Sequence, residues 1–118
     1  MCITDGQSGA GQQPDSELAA QPTVLIDNAR TRVTEWRFPR RGARTGWHRH
    51  DYDYVVVPLF TGVLEIEVAG GEVIRADLVS GVPYYRELGV EHDVINGNDF
   101  ECAFIEIEML EAPPDGRR

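Results

Sequence analysis

Apolar and polar residues alternate with a period of two along most of this chain, in short runs separated by glycine, proline, asparagine and aspartate. Side chains of a β-strand point alternately to two faces, so this pattern is typical of half-buried strands, whereas an amphipathic helix needs a period of 3.6. The folded part of the sequence shows no convincing helical period. The sequence therefore predicts an all-β domain of many short strands, as in a sandwich or a small barrel.

The apolar runs predict nine strands. A glycine pair, Gly70-Gly71, joins two of them and is typical of a hairpin, because glycine tolerates the positive φ that a tight turn requires. The predicted strands span residues 23–28, 31–39, 43–50, 54–60, 62–69, 72–78, 82–86, 92–96 and 100–110.

The chain has 118 residues, which is enough for one domain with one hydrophobic core. Residues 1–21 contain many Gly, Gln and Ser residues and no sustained apolar pattern, so we expect a disordered leader there. Residues 111–118, with the sequence EAPPDGRR, indicate a C-terminal tail after the last strand. The folded domain is therefore expected over residues 22–110.

Acidic residues outnumber basic ones, and the formal net charge is −9. Nucleic acids and anionic membrane surfaces attract a surplus of Lys and Arg, so we expect neither as a partner. The longest apolar run, from Val55 to Phe60, is far shorter than the roughly 20 residues of a membrane-spanning helix. The N-terminus also lacks a secretory pattern, which favours a cytoplasmic location. Only Cys2 and Cys102 are present, so no disulfide framework is expected, and Cys102 is predicted to be a small buried hydrophobe.

Three histidines have spacings that suit a shared metal ion. His48 and His50 are separated by one residue on a predicted strand, so both imidazoles project from the same face. His92 begins another predicted strand. Imidazole suits divalent transition metals better than Mg²⁺ or Ca²⁺, which prefer oxygen ligands, but the sequence does not choose among the transition metals.

Glycine and asparagine residues around these histidines resemble the two sequence motifs of the cupin superfamily. The first motif, G-x5-H-x-H-x4-E-x6-G, fits Gly42, His48, His50 and Gly62, and the second, G-x5-P-x-G-x2-H-x3-N, fits Gly81, Gly89, His92 and Asn96. The segments YDYVVVP and GVEHDVIN are similar to those of the small BauB-type cupins associated with β-alanine degradation. The resemblance covers roughly residues 22–110 and implies a single-domain cupin, folded as a double-stranded β-helix or jelly-roll barrel.

Two positions depart from the family's pattern. The motif glutamate, a metal ligand in the family, falls on Val55, and the motif proline falls on Glu87. Valine cannot bind a metal, and Asp53 could reach one only if the strand bends, so its role as a fourth ligand stays open. The resemblance implies one divalent transition metal held by the three histidines, with iron in first place and Zn, Ni, Mn, Cu or Co as alternatives. The contrary hypothesis is a degenerate cupin that has lost its metal.

The resemblance also implies a function. Three neutral imidazoles leave a bound ion with its full +2 charge, which favours a small, polar, carboxylate-bearing substrate. The leading hypothesis is a metal-dependent enzyme of the oxygenase, lyase or isomerase type, with a non-haem oxygenase as one form. The alternatives are a non-catalytic small-molecule-binding cupin and a dimeric accessory protein. Small cupins resemble dimers more often than monomers, so a homodimer is expected.

Several other residues could line the cavity of such a barrel, although each also has a simpler structural role. These candidates are Trp36, Arg37, Tyr52, Tyr54, Tyr84, Tyr85, Arg86 and Glu106. The guanidinium of Arg86 suits a carboxylate, but an arginine on a strand more often faces solvent. Glu106 and Glu108 alternate with two isoleucines and are predicted to lie on an exposed sheet face. Neighbours along the chain that could orient the histidine rings are Asp51, Asp93 and Asn96.

Overall fold

The computed structural model describes residues 18–111, which contain nine β-strands and no α-helix. No helix within that range is long and apolar enough to cross a membrane. The strands are β1 (Gln21–Asp27), β2 (Thr31–Phe38), β3 (His48–Arg49), β4 (Asp53–Pro58), β5 (Gly62–Glu67), β6 (Val73–Leu78), β7 (Tyr84–Arg86), β8 (Glu91–Asn96) and β9 (Cys102–Met109). The prediction of an all-β fold is confirmed.

The strands form two antiparallel sheets, one in the order β1-β2-β9-β4-β7 and the other in the order β3-β8-β5-β6. From β2 onward, successive strands alternate between the two sheets, apart from the hairpin of β5 and β6. This alternation is the jelly-roll arrangement, also called a double-stranded β-helix, that the motif resemblance implied.

The core lies between the two sheets and is formed by inward-facing apolar side chains from both of them. Phe38 of β2 and Phe104 of β9 contact each other with ring centroids 5.6 Å apart, and both are almost completely buried. Leu64 of β5 and Val94 of β8 belong to the same buried cluster from the opposite sheet. A core of this kind fixes the distance between the sheets, and with it the position of any side chain that points inward.

Two boundaries differ from those predicted. The strand predicted over residues 43–50 is reduced to His48–Arg49, because Gly46 has a φ of 88° and interrupts the extended backbone. The folded part also begins before residue 22, since the Ala20 amide donates a hydrogen bond to the Arg44 carbonyl at 2.9 Å. The rest of the predicted leader, residues 1–17, and most of the predicted tail, residues 112–118, lie outside the described residues.

Two landmarks of the cupin motifs have structural roles away from the histidines. Asn96 is fully buried, and its Oδ1 accepts a hydrogen bond from the Asn98 amide at 2.7 Å while its Nδ2 donates to the Phe100 carbonyl at 2.9 Å. At Gly62, a Cβ atom would collide with the Asn98 side-chain oxygen and would displace the amide that hydrogen-bonds to the Val63 backbone. These contacts shape the turn between β8 and β9. The hydrogen bonds of the Asn96 side chain go to Phe38, Asn98 and Phe100, and none of them orients a histidine ring.

Candidate metal centre

The fold brings the three histidines together. His48 on β3 and His92 on β8 are paired across two antiparallel strands, and His50 follows directly after β3. The Nε2 atom of His50 lies 3.0 Å from Nε2 of His48 and 3.2 Å from Nε2 of His92. All three residues are thus directed at one point between the sheets, as their spacing predicted.

These separations match those of nitrogen atoms that share one metal ion. Two nitrogens that are each about 2.1 Å from a metal lie about 3.0 Å apart at a right angle and about 3.4 Å apart at a tetrahedral angle. The ligand atoms of His48, His50 and His92 all lie within 4.8 Å of one another, so the group could hold a metal ion. The donor set is three imidazole nitrogens, which suits a divalent transition metal.

Backbone contacts fix the orientation of the His48 ring. Its Nδ1 lies 2.9 Å from the carbonyl oxygen of Gly46, and because a carbonyl only accepts, Nδ1 carries the hydrogen. The lone pair is then on Nε2, which faces the other two histidines. The Gly46 amide in turn donates to Asp93 Oδ1 at 3.0 Å, and Asp93 forms an ion pair with Arg44. Asp93 therefore acts on the ring through the loop that precedes β3.

Two of the histidines are held in the neutral form that a metal requires. Burial lowers the pKa of His50 to about 3, with a further contribution from the neighbouring imidazoles of His48 and His92. Burial also lowers the pKa of His92 to about 4, with His48 and the charge of Arg86 adding to the effect. Both rings are consequently deprotonated at neutral pH, when their nitrogen lone pairs are free to bind.

Aromatic side chains support two of the rings. Tyr54 of β4 stacks on His50 with ring centroids 3.9 Å apart and an interplanar angle of 16°. Trp36 of β2 lies parallel to His48 at a centroid distance of 6.5 Å. The Tyr54 hydroxyl is buried without a hydrogen-bond partner, which costs about 1–3 kcal/mol relative to a paired hydroxyl. Burial also raises the pKa of this phenol, so it keeps its proton.

The position of the missing family glutamate is on the wrong face of its strand. On β4, Tyr54 and Val56 point into the molecule and are buried, whereas Asp53 and Val55 are on the other face. Asp53 is also engaged elsewhere, because its Oδ1 accepts a hydrogen bond from the Leu88 amide at 2.9 Å. The structure therefore leaves Asp53 outside the histidine group and places Tyr54 at the inward position beside it.

The prediction that Glu106 lies on an exposed face is wrong. Its side chain is buried, and its Oε2 lies 3.7 Å from Nδ1 of His50, on the side of the ring away from the other histidines. Burial and the neighbouring carboxylate of Glu108 raise the pKa of Glu106 to about 7, against a hydrogen bond from Trp36. The phase of β9 could have revealed this, because Glu106 is an even number of residues from the apolar Phe104 and hence shares its face.

A cavity of about 70 Å³ adjoins the histidines. Five of the eight candidate lining residues contact it, namely Trp36, Tyr54, Tyr84, Arg86 and Glu106. The cavity wall is completed by apolar side chains of both sheets, among them Val56, Ile66 and Val94. A second cavity, of about 290 Å³, shares Trp36, His48 and Glu106 with the first and extends to Pro22 and Val24 on β1.

The remaining candidates lie elsewhere. Arg37 pairs with Glu35 and Glu101, and neither Tyr52 nor Tyr85 lines the cavity. Asp51 is exposed and faces Arg49 at 3.5 Å. The site as the structure shows it thus consists of three histidines, two tyrosines, a tryptophan, an arginine and a buried glutamate, at the end of a narrow apolar cavity.

Known proteins are similar to this chain in both sequence and structure, although no protein-family model matches it. The β-alanine degradation protein BauB of Pseudomonas aeruginosa is 53% identical over 90 residues, which cover 76% of this chain and 93% of BauB. A crystal structure of a cupin domain from Bordetella pertussis is 56% identical, covers 77% of this chain and 93% of its own, and has a TM-score of 0.73.

A more distant structure supports the fold alone. An RmlC-like cupin family protein from Methanocaldococcus jannaschii, described as a double-stranded β-helix, is 13% identical and covers 92% of this chain and 93% of its own, with a TM-score of 0.63. Fold, motif residues and sequence identity agree: the chain belongs to the cupin superfamily, among the small cupins that include BauB.

Proposed function

We propose that this protein is a metal-dependent cupin enzyme that acts on a small, polar, carboxylate-bearing metabolite. His48, His50 and His92 would hold one divalent transition metal, with iron as our first candidate. The observation that carries the proposal is the convergence of three imidazoles beside a cavity, with Nε2 of His50 3.0 Å from that of His48 and 3.2 Å from that of His92. The name of the relative BauB supports a role in the degradation of β-alanine or a related amino acid.

The protein's own residues would bind the substrate and keep water away from it. A bound metal would supply Lewis acidity or oxygen activation at the point where the three rings meet. The apolar walls formed by Val56, Ile66 and Val94 limit the cavity to a small molecule and exclude bulk water. The backbone carbonyl of Gly46 and the stacked ring of Tyr54 hold two of the imidazoles in place.

Arg86 favours a carboxylate as the substrate's charged group. Its side chain lines the cavity, and its guanidinium carbon lies 4.8 Å from the centre of the Tyr84 ring, which is a cation–π distance. The positive charge of Arg86 contributes to the lowered pKa of His92, so its electrostatic field extends to the histidines. A guanidinium placed in this way can form a bidentate pair with a carboxylate.

Elemental analysis tests the metal centre. We expect the wild-type chain, purified without a histidine tag or chelator, to contain about one equivalent of transition metal. Two imidazoles hold a divalent ion far more weakly than three. The metal should therefore be lost in each of the variants His48→Ala, His50→Ala and His92→Ala. Asp53→Asn is the matched control and should retain the metal, since Asp53 is engaged with Leu88. Metal retained by the histidine variants would disprove the ligand assignment.

A turnover screen tests catalysis separately from binding. Three-carbon carboxylates that carry an amino, hydroxyl or thiol group would be incubated with the metal-loaded protein, with and without oxygen, and followed by NMR. Product formed by the wild type and lost in His50→Ala would support an enzyme, and dependence on oxygen would distinguish an oxygenase from a lyase or isomerase. Metal binding and ligand binding without any product would instead support a non-catalytic binding cupin.

A further inference from the structure

The hydroxyl of Tyr54 is the one buried side-chain polar atom without a hydrogen-bond partner in residues 18–111. Tyr54 is 3% exposed and lines the same cavity as the three histidines. A buried donor without a partner is unfavourable and requires an explanation, and at the wall of a cavity a bound ligand can supply the missing acceptor. The hydroxyl therefore indicates a contact that is completed only in the occupied site.

The surroundings of this hydroxyl indicate what kind of group it meets. Tyr54 and Arg86 are partners across β4 and β7, and both side chains line the cavity. A phenol and a guanidinium both donate hydrogen bonds, and a carboxylate accepts from both. The carboxylate of Glu106 lies in the same cavity but accepts no bond from Tyr54, which leaves the phenol proton for a ligand.

The ring of Tyr54 is held in position before any ligand binds. It stacks on His50 at a centroid distance of 3.9 Å, and its strand is fixed on both sides by pairing with β7 and β9. A donor that is already ordered loses little conformational freedom on binding, so its hydrogen bond contributes more to affinity.

We propose that Tyr54 is a specificity-determining residue, whose hydroxyl donates a hydrogen bond to the carboxylate that Arg86 attracts. This inference rests on the proposed function, since it assigns a contact for the same substrate. It makes Tyr54 and Arg86 a carboxylate subsite beside the histidines. The inward face of β4, which does not include the motif glutamate position at Val55, then has a polar role of its own.

Propionate is the probe for this subsite, because it carries a carboxylate and no other polar group. Its dissociation constant would be measured by NMR titration of the full-length chain, both zinc-loaded and metal-free. We expect Tyr54→Phe to weaken propionate binding about ten- to hundredfold, the usual range for loss of a hydrogen bond to a charged group. Tyr85→Phe is the matched control on the neighbouring strand and should bind propionate as the wild type does, because Tyr85 does not line the cavity.

Zinc content and melting temperature separate recognition from a structural role. Tyr54→Phe should keep its zinc and melt at the wild-type temperature or above, because the change removes an unpaired buried hydroxyl and preserves the stacked ring. Equal propionate affinity in Tyr54→Phe and wild type would overturn the inference. Loss of zinc or a lower melting temperature in this variant would also overturn it, in favour of a structural residue.

The same titrations distinguish failure of this inference from failure of the proposed function. If the wild type binds no propionate, the carboxylate subsite is wrong, while metal binding and turnover of another substrate are still decided by the histidine variants. If no substrate is turned over but Tyr54→Phe selectively weakens propionate binding, the subsite stands and the enzyme proposal fails.

Discussion

Among single residues, Cys102 shows how burial in this barrel controls the reactivity of a side chain. Its side chain is free and buried at the start of β9, as the sequence predicted. Burial raises the pKa of the thiol to about 11, although a hydrogen bond from Asn98 acts in the opposite direction. Because only the thiolate is nucleophilic, this cysteine should be inert in the folded protein.

Alkylation with iodoacetamide would check this expectation. At pH 8 we expect Cys102 to stay unmodified in the native protein and to react within minutes in denaturant, with peptide mapping used to separate it from Cys2. The raised pKa of the Cys102 thiol also makes the stability of the protein depend on pH. Between about pH 9 and pH 11 the unfolded thiol loses its proton while the folded one keeps it, so the free energy of unfolding should fall as pH rises. Rapid labelling of the native protein at pH 8 would contradict the assignment.

Single residues also show where sequence reasoning succeeded and failed. His48, His50 and His92 could be grouped from the alternation of a strand and the motif spacing, and the structure brings them together. The charge of Glu106 favours an exposed face, but its phase relative to Phe104 places it on the buried one, and the phase is correct. The unpaired hydroxyl of Tyr54 could not be predicted, since it depends on what the neighbouring strands place around it.

At the scale of elements, all nine predicted strands exist, and their boundaries are mostly within a few residues of those observed. The exception is β3, which has only two residues. Alternation continues through the segment before it, but the positive φ of Gly46 and the side-chain contact with Asp93 turn the backbone away from an extended course. A long-range contact of this kind has no periodic signature in the sequence.

The loop before β3 gives a prediction at this scale. Asp93→Ala removes the acceptor for the Gly46 amide and the partner of Arg44, so the Gly46 carbonyl should no longer hold the His48 ring. We expect metal affinity to fall about ten- to hundredfold, as is usual for a residue that orients a ligand. Competition with a chromogenic chelator would measure it. Asp77→Ala on β6 is the control, since its carboxylate is exposed and pairs with Arg75 at 3.3 Å. Equal affinity in both variants would refute the role of Asp93.

At the scale of the whole molecule, the expected homodimer stays a prediction, and β1 offers a surface for it. β1 is at the edge of the five-stranded sheet, and Val24, Leu25 and Ile26 are each about half exposed. An apolar edge strand invites pairing with another chain, and a second copy related by a twofold axis would cover both edges at once.

Light scattering coupled to size exclusion would test this surface. We expect the wild-type chain to have twice the mass of the 13.2 kDa monomer. Ile26→Arg should shift it toward the monomer, because a charge buried at the interface would be unpaired. Val73→Arg on β6, the edge of the other sheet, is similarly exposed and serves as the control. A monomeric wild type, or a Val73→Arg variant that dissociates as readily as Ile26→Arg, would contradict a dimer through β1.

The pairing of β3 with β8 also has a consequence for the order of folding and metal binding. His50 and His92 are 42 residues apart in the sequence, and the intervening chain contributes strands to both sheets before the two rings can meet. Contacts of long sequence separation form more slowly than local ones, and no short fragment of a nascent chain contains all three histidines. Metal loading would then follow barrel closure, and a loaded centre would mark a molecule that has finished folding.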